Sequence, residues 1–292
     1  MIELAYSVVD VFTRQALEGN ALAVFHDGRA LDGATMQRIA REMNLSETTF
    51  VLPPAAGDAV DVRIFTPAAE LPFAGHPTIG TAFVLRERGI VARDARAVVL
   101  REPIGPVPVH VDEGDDPMIW LRTPEIRFGE TVELDAATAA VGLDVADALA
   151  DATPQLVSAG NPSVFLAVRD PQTVDRAAVD LAAYRRLVLR QARPTCVFVF
   201  APVASGAYSR MFAPDLGITE DPATGSATGP LAAYMMRNGL VSAAGGTRFV
   251  SEQGTKMGRR SLLHVHVRGE HGADGIDVGG HVVRVASGVV TL

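Results

Sequence analysis

Two segments about 150 residues apart share one pattern: a turn of small residues followed by an apolar helix. Residues 71–89 read LPFAGHPTIGTAFVLRERG and residues 220–239 read EDPATGSATGPLAAYMMRNG. Each helical pattern is apolar on nearly every side and stops at a glycine, Gly89 or Gly239, as helix C-termini commonly do. One such segment would suit an ordinary core helix with glycines for packing. The pair favours two similar domains, each built around a buried helix.

A second internal match supports this duplication. The string GNALAVF at 19–25 and the string GNPSVF at 160–165 each place a Gly-Asn pair before a predicted strand. In both halves a further strand, a turn and the apolar helix follow in the same order. The long spacing indicates two related domains rather than an array of short repeats.

The first half has clear local signals. Residues 4–13 and the following ALAVFH predict an opening pair of strands with a longer loop. Asp32 is a suitable cap for a helix over about 34–44. Glu47 falls between that helix and the strand TTFVL, where a solvated turn glutamate is the simplest interpretation. His76 is predicted at the N-cap of the first apolar helix, with Pro77 at the first helical position.

The second half is expected to begin with a helix-rich stretch at about 131–150, where alanine and leucine recur at helical spacing. Residues 207–213 predict a strand that leads into the second apolar helix. Late strands are expected at 262–268 and 281–291. His264 and His266 lie on one face of the first of these, but two histidines without a third ligand make a poor metal site.

Charge and composition argue against nucleic acid and membranes as binding partners of the chain. The 292 residues carry a formal net charge of −8, which argues against nucleic acid or an anionic membrane as the main partner because both call for basic patches. An arginine cluster is expected to be only a solvated helix face; its members are Arg185, Arg186, Arg190 and Arg193. The N-terminus lacks the basic region of a signal peptide, and no run of about twenty apolar residues predicts a membrane span.

The single cysteine, Cys196, excludes an intramolecular disulfide and fits a reducing cytoplasm. It lies in the run TCVFVF, which predicts a buried strand and a structural thiol. Dinucleotide, phosphate-loop, zinc-protease and nucleophile-elbow motifs are missing from the sequence. We therefore expect no cofactor and no metal, with chemistry carried by side chains and backbone amides. The N-termini of the two apolar helices, at Gly75 and Gly225, would suit an anionic ligand such as a carboxylate.

Three long strings resemble the PhzF-like family, which is named for an isomerase of phenazine biosynthesis. They are NLSETTFVL, FTPAAELPFAGHPTIGTAFVL and EDPATGSATGPLAAYM, in the family's order, and the resemblance covers essentially the whole chain. The later EQGTKMGRRS is also similar, although Arg260 stands where the family more often has proline. This departure bears on the local loop shape more than on the chemistry.

The resemblance implies the diaminopimelate-epimerase-like fold. This is an α+β architecture of two similar domains, each a sheet or barrel wrapped around a central buried helix, with the active site between them. The implied domains are 1–118, completed by about 281–292, and 119–280. The resemblance also suggests a homodimer and a small carboxylic or amino acid as substrate.

The resemblance assigns roles residue by residue. Glu47 would be the acid/base, and His76 and Asp221 would bind or polarise the substrate's amino and hydroxyl or ring groups. Ser226 and the amides after Gly75 and Gly225 would hold the carboxylate. Taken without the family, Asp221 could be a turn residue before Pro222, and Ser226 a plain N-cap.

Three functions follow from these assignments. The first is a cofactor-independent isomerase in which Glu47 moves a proton within a small cyclic acid, with trans-2,3-dihydro-3-hydroxyanthranilate as the prototype. The second is an amino-acid racemase or epimerase of the same fold. It is disfavoured because Ala74 and Ala223 stand where such enzymes carry two thiols. The third is a non-catalytic protein that binds small acids.

Overall fold

The computed structural model describes residues 1–53, 59–189 and 195–292. Its strands are β1 (Glu3–Val11), β2 (Asn20–Phe25), β3 (Glu47–Leu52), β4 (Ala59–Phe65), β5 (Glu70–Leu71), β6 (Ala97–Glu102), β7 (Gly105–Val111), β8 (Ile119–Arg122), β9 (Arg127–Thr131), β10 (Gln155–Ser158), β11 (Pro162–Ala167), β12 (Cys196–Val203), β13 (Gly206–Ala213), β14 (Ile218–Asp221), β15 (Arg248–Gln253), β16 (Ser261–Val267), β17 (Ile276–Gly280) and β18 (Val282–Thr291). Its helices are α1 (Gly33–Met43), α2 (Gly75–Glu87), α3 (Leu134–Ala140), α4 (Pro171–Arg176), α5 (Leu181–Val188) and α6 (Gly225–Arg237).

The chain divides into two compact units. The first contains residues 1–122 and 279–292, and the second contains residues 123–278. Among the described residues, no helix has both the length and the apolarity needed to cross a bilayer. Arg185 and Arg186 are exposed on α5, as predicted, whereas Arg190 and Arg193 lie outside the described residues.

In the first unit, β1 pairs antiparallel with both β2 and β18. The sheet continues from β2 to β3 in parallel, to β4 antiparallel, to β6 in parallel, and through β7 to β8 antiparallel. Helix α2 packs against several of these strands, including β1, β2, β3, β7 and β8. It is therefore the central element of this unit.

The second unit repeats this strand order. Strands β9, β10 and β11 pair antiparallel in succession. The sheet then runs from β11 to β12 in parallel, to β13 antiparallel, to β15 in parallel and to β16 antiparallel. Helix α6 packs against β10, β11 and β16. The matching sequence of parallel and antiparallel pairings confirms that the Gly-Asn strings mark corresponding strands, β2 and β11.

The two central helices are buried as their composition predicts. Every residue from 75 to 82 in α2 and from 225 to 232 in α6 is buried. Gly89 and Gly239 follow the helix ends with positive φ angles of 71° and 68°, which glycine adopts at little cost. Gly80 faces the sheet so closely that a Cβ there would lie 2.7 Å from a methyl carbon of Leu22.

Three local predictions are wrong. Ala74, not His76, is the N-cap of α2, so Pro77 occupies the third helical position, where its missing N–H is still unneeded. Glu47 is the first residue of β3 and is buried, so it is not a solvated turn residue. The stretch 131–150 is less helical than predicted: it holds the short α3 and a 3-10 turn at Val145–Asp147, separated where Gly142 turns the chain with a φ of 63° against the carbonyl of Ala178.

Candidate active site

Glu47 and His76 form a buried pair in the first unit. Glu47 begins β3 beside β2, and His76 lies in the first turn of α2. Glu47 Oε2 is 3.4 Å from His76 Nε2, and the two side chains are only 9% and 3% exposed. The sheet and the central helix therefore bring together two residues that lie far apart in the sequence.

Asn20 fixes the hydrogen-bonding role of this imidazole. The Asn20 side-chain nitrogen Nδ2 lies 3.2 Å from His76 Nδ1. Because an amide nitrogen only donates, Nδ1 accepts, and the ring proton is on Nε2, the atom that faces Glu47. Burial lowers the pKa of His76 to about 3, so the ring is neutral near pH 7. His76 thus presents an N–H to the Glu47 carboxylate or to a bound molecule beside it.

The N-terminus of α2 adds backbone amides to this pair. Its N-cap, Ala74, makes no side-chain capping bond, and the first turn contains no acidic residue. Gly75 and His76 occupy the first two helical positions, whose N–H groups have no partner within a helix. With the helix dipole behind them, these amides favour an anionic group close to Glu47 and His76.

The second unit has a corresponding turn at the N-terminus of α6. Asp221 ends β14, and its Oδ2 accepts a 2.6 Å hydrogen bond from the Thr224 hydroxyl. Gly225 and Ser226 occupy the first two helical positions, and Thr224, not Ser226, is the N-cap. All four residues are buried. The turn therefore places a carboxylate, a serine and the helix amides in one small region.

Gln253, at the end of β15, holds this turn in place. Its Nε2 donates to the Asp221 carbonyl at 2.7 Å and to the Thr224 hydroxyl at 3.0 Å. Its Oε1 accepts from the Thr224 amide at 3.1 Å. The next residue, Gly254, has a φ of 75°, and a Cβ there would lie 2.6 Å from the Pro222 carbonyl oxygen. Arg260, which stands where the family more often has proline, donates to Glu252 at 2.8 Å.

The predicted site residues thus fall into two sets, one at each central helix. Glu47, Gly75 and His76 belong to the first unit. Asp221, Gly225 and Ser226 belong to the second. No group of three or more histidine, cysteine, aspartate or glutamate residues suited to a metal ion occurs among the described residues.

The sequence patterns do not identify Asn20, Thr224 or Gln253 as site residues. Asn20 lies in the first of the two Gly-Asn strings, and Gln253 lies in the string EQGTKMGRRS. Their partners are distant in the chain, 56 residues for the Asn20–His76 contact and 32 for the bond from Gln253 to Asp221. Thr224 likewise lies in the family-like string EDPATGSATGPLAAYM, and membership of such strings is the signal that the sequence offers for all three residues.

The sequence model for "phenazine biosynthesis-like protein" matches residues 9–288 of this chain. The chain belongs to the PhzF family. It is 34% identical to trans-2,3-dihydro-3-hydroxyanthranilate isomerase of Pseudomonas chlororaphis, over 98% of this chain and 99% of the relative. It is 36% identical to an uncharacterised isomerase of Mesorhizobium japonicum, over 97% of both chains. As a member of this family, the protein is an isomerase.

Solved structures agree with the fold. A PhzF-family protein from Bacillus anthracis superposes with a TM-score of 0.89 at 24% identity over the full length of both chains. A structure described as a predicted epimerase from Pseudomonas aeruginosa has a TM-score of 0.84 at 33% identity over 99% of each chain. A probable proline racemase from Agrobacterium radiobacter reaches 0.68 at 15% identity, covering 99% of this chain and 93% of the racemase. The α+β fold is thus the predicted diaminopimelate-epimerase-like one.

Proposed function

We propose that the protein isomerises a small cyclic amino or carboxylic acid by proton transfer through Glu47, without a cofactor. The observation that carries this proposal is the buried Glu47–His76 pair beside the uncapped N-terminus of α2. Proton abstraction next to a carboxylate requires a positioned base and a means of stabilising the negative charge that develops. Glu47 supplies the first, and the neutral His76 N–H together with the helix amides supplies the second.

The proposed reaction has two proton transfers. The Glu47 carboxylate takes a proton from an sp³ carbon of the substrate, and the electron pair left behind moves into the conjugated system. The resulting Glu47 carboxylic acid then returns the proton at another carbon, and the double bond has moved. One residue serves as base and then as acid, which a single carboxylate can do on one face of the substrate.

The remaining residues are assigned to substrate binding. Asp221 and His76 would bind or polarise the amino and hydroxyl or ring groups. Ser226 and the amides at Gly75 and Gly225 would hold the carboxylate. The prototype substrate is trans-2,3-dihydro-3-hydroxyanthranilate, the compound after which three relatives from Pseudomonas species are named.

A racemase with two thiols has no support in either helix turn. Ala74 and Ala223 are buried at those turns, and Cys196 is on β12. Racemisation needs a base on each face of one carbon. The two turns supply no cysteine for this purpose, so proton shuttling by Glu47 is the better supported chemistry.

We also propose a cytoplasmic homodimer. The single cysteine suits a reducing compartment. A native mass of twice 30.8 kDa by mass spectrometry or light scattering would support the dimer, and a mass of 30.8 kDa would contradict it.

Glu47→Gln tests the function, with trans-2,3-dihydro-3-hydroxyanthranilate and a panel of related cyclic acids as substrates. Movement of the double bond is followed by absorbance and NMR. We expect kcat to fall by roughly 10²- to 10⁴-fold, the usual contribution of a general acid/base, with folding unchanged. Glu42→Gln, an exposed change on α1, is the matched control. Equal ligand affinity with no turnover in either wild type or Glu47→Gln would instead indicate a non-catalytic binding protein.

A further inference from the structure

Glu102 is a buried carboxyl group that the proposed reaction does not use. It is the last residue of β6, is 4% exposed, and lies against the first turn of α2. Its Oε1 contacts the hydroxyl of Thr78, and its Oε2 makes no hydrogen bond within the described residues. An ionised carboxylate with an unsolvated, unbonded oxygen would carry a large desolvation cost.

The two short contacts of the Thr78 hydroxyl indicate the protonation state of Glu102. Thr78 Oγ1 lies 2.6 Å from Glu102 Oε1 and 2.7 Å from the Ala74 carbonyl oxygen. A hydroxyl group has one proton to donate, and a carbonyl oxygen can only accept. If Glu102 were ionised, two acceptors would compete for that proton. If Glu102 is protonated, its O–H donates to Thr78, and Thr78 donates to Ala74, so both short contacts are satisfied.

The second unit supplies an independent observation. Gln253 is the last residue of β15, which lies beside β13 as β6 lies beside β4. Its amide accepts from the N–H of the N-cap residue Thr224 and donates through Nε2 to the Thr224 hydroxyl. A protonated Glu102 likewise has one acceptor oxygen and one donor. The same topological position is thus filled by a side chain that cannot ionise in one unit and by a carboxyl group in the other.

A neutral Glu102 favours the binding of an anion at the N-terminus of α2. The amides of Gly75 and His76 suit an anion because they carry the partial positive charge of the helix N-terminus. A negative charge on Glu102, beside Ala74 and Thr78, would offset that charge and repel a bound carboxylate. A neutral acid keeps the geometry of the turn without this effect. Burial raises the pKa of Glu102 to about 8, and it outweighs the Thr78 hydroxyl and the Ala74 backbone N–H, which act to lower that pKa.

We propose that Glu102 is a neutral carboxylic acid and a positioning residue, which holds the first turn of α2 through Thr78 and leaves its amides free for an anion. The protonation state of Glu102 is inferred from its contact with Thr78 and from its unbonded Oε2. The effect on a bound carboxylate rests on the proposed function.

Infrared difference spectroscopy of wild type against Glu102→Gln at pH 6.5 tests the protonation state. We expect the C=O stretch of a protonated carboxyl group in wild type and its loss in the variant. Glu42→Gln, which removes an exposed glutamate, should lose only carboxylate bands. A Glu102→Gln difference spectrum containing only carboxylate bands would overturn the proposal whether or not the protein turns over any substrate.

Rescue by the conservative variant tests the positioning role. Glu102→Gln keeps a donor and an acceptor, whereas Glu102→Leu keeps neither. We expect the leucine variant to raise KM for the acid at least tenfold more than the glutamine variant, with both variants folded by circular dichroism. Equal KM values for the two variants would overturn the positioning role. Absence of activity in wild type would count against the proposed function. The infrared difference spectrum would still decide the protonation state of Glu102.

Discussion

At the scale of single residues, burial sets the protonation of His76. Its pKa is lowered to about 3, from 6.5 in the unfolded chain, so the unfolded state takes up a proton first as the pH falls. The contribution to stability is complete above pH 6.5 and is lost toward pH 3. Relative to His76→Gln, wild type should lose about 2 kcal/mol of unfolding free energy between pH 7 and pH 5. Urea unfolding at both pH values measures this loss. An equal change in unfolding free energy between pH 7 and pH 5 in wild type and in His76→Gln would contradict it.

Glu102 should have the opposite pH dependence. Its pKa is raised from 4.5 to about 8, so its contribution is complete below pH 4.5 and is lost as the pH rises toward 8. Relative to Glu102→Gln, wild type should lose a few kcal/mol of stability between pH 5 and pH 8. The same urea titration, run on the glutamine variant as reference, checks the sign. A wild type that becomes more stable than Glu102→Gln as the pH rises would contradict the assignment.

Asn20 directs the imidazole through one hydrogen bond. Asn20→Leu removes the donor to His76 Nδ1, so the ring can take the other tautomer, with its proton away from Glu47. We expect kcat to fall by about tenfold or more while Glu47 and His76 themselves remain. Steady-state kinetics measures the loss, and the ¹⁵N chemical shifts of His76 report the tautomer directly. An unchanged tautomer in Asn20→Leu would refute this role.

At the scale of elements, the turn before α6 depends on Gly254. Its φ is 75°, and an alanine Cβ there would lie 2.3 Å from the Arg259 carbonyl oxygen and 2.6 Å from that of Pro222. Gly258 is a matched control, because its φ is 70° and nothing lies within 4 Å of the corresponding Cβ position. Gly258→Ala should cost only the left-handed strain of about 1 to 2 kcal/mol. Gly254→Ala should lower the unfolding free energy clearly more than Gly258→Ala does, as measured by urea unfolding. Equal losses of unfolding free energy in the two variants would contradict the close packing at Gly254.

The central helices and most strands could be predicted from the sequence because their signals are local. An apolar pattern without a polar face identified α2 and α6, and a run of β-branched and aromatic residues identified strands such as β1. The predicted start of α2 is wrong because His76-Pro77 resembles a capping signal, while the actual N-cap, Ala74, makes no side-chain capping bond. Small residues that enter a helix through backbone geometry alone leave little trace in a sequence.

At the scale of the whole molecule, the duplicated pattern and the family strings predicted the fold that the solved relatives share. The side-chain networks could not be predicted in this way. The donor to His76 and the partner of Glu102 depend on which strand end meets which helix turn, and these contacts join residues 56 and 24 positions apart. Only tertiary packing brings them together, so sequence patterns show the residue types without their pairing.

The most direct test of glutamate-driven proton transfer is ¹H and ²H NMR of turnover in deuterated water. Trans-2,3-dihydro-3-hydroxyanthranilate is incubated with wild type, with Glu47→Gln and with Glu42→Gln. We predict that wild type and Glu42→Gln move the double bond, and that deuterium enters one carbon whenever the Glu47 acid exchanges with solvent before it returns the proton. Glu47→Gln should do neither. Isomerisation or exchange that persists at the wild-type rate in Glu47→Gln would contradict the central role of this residue.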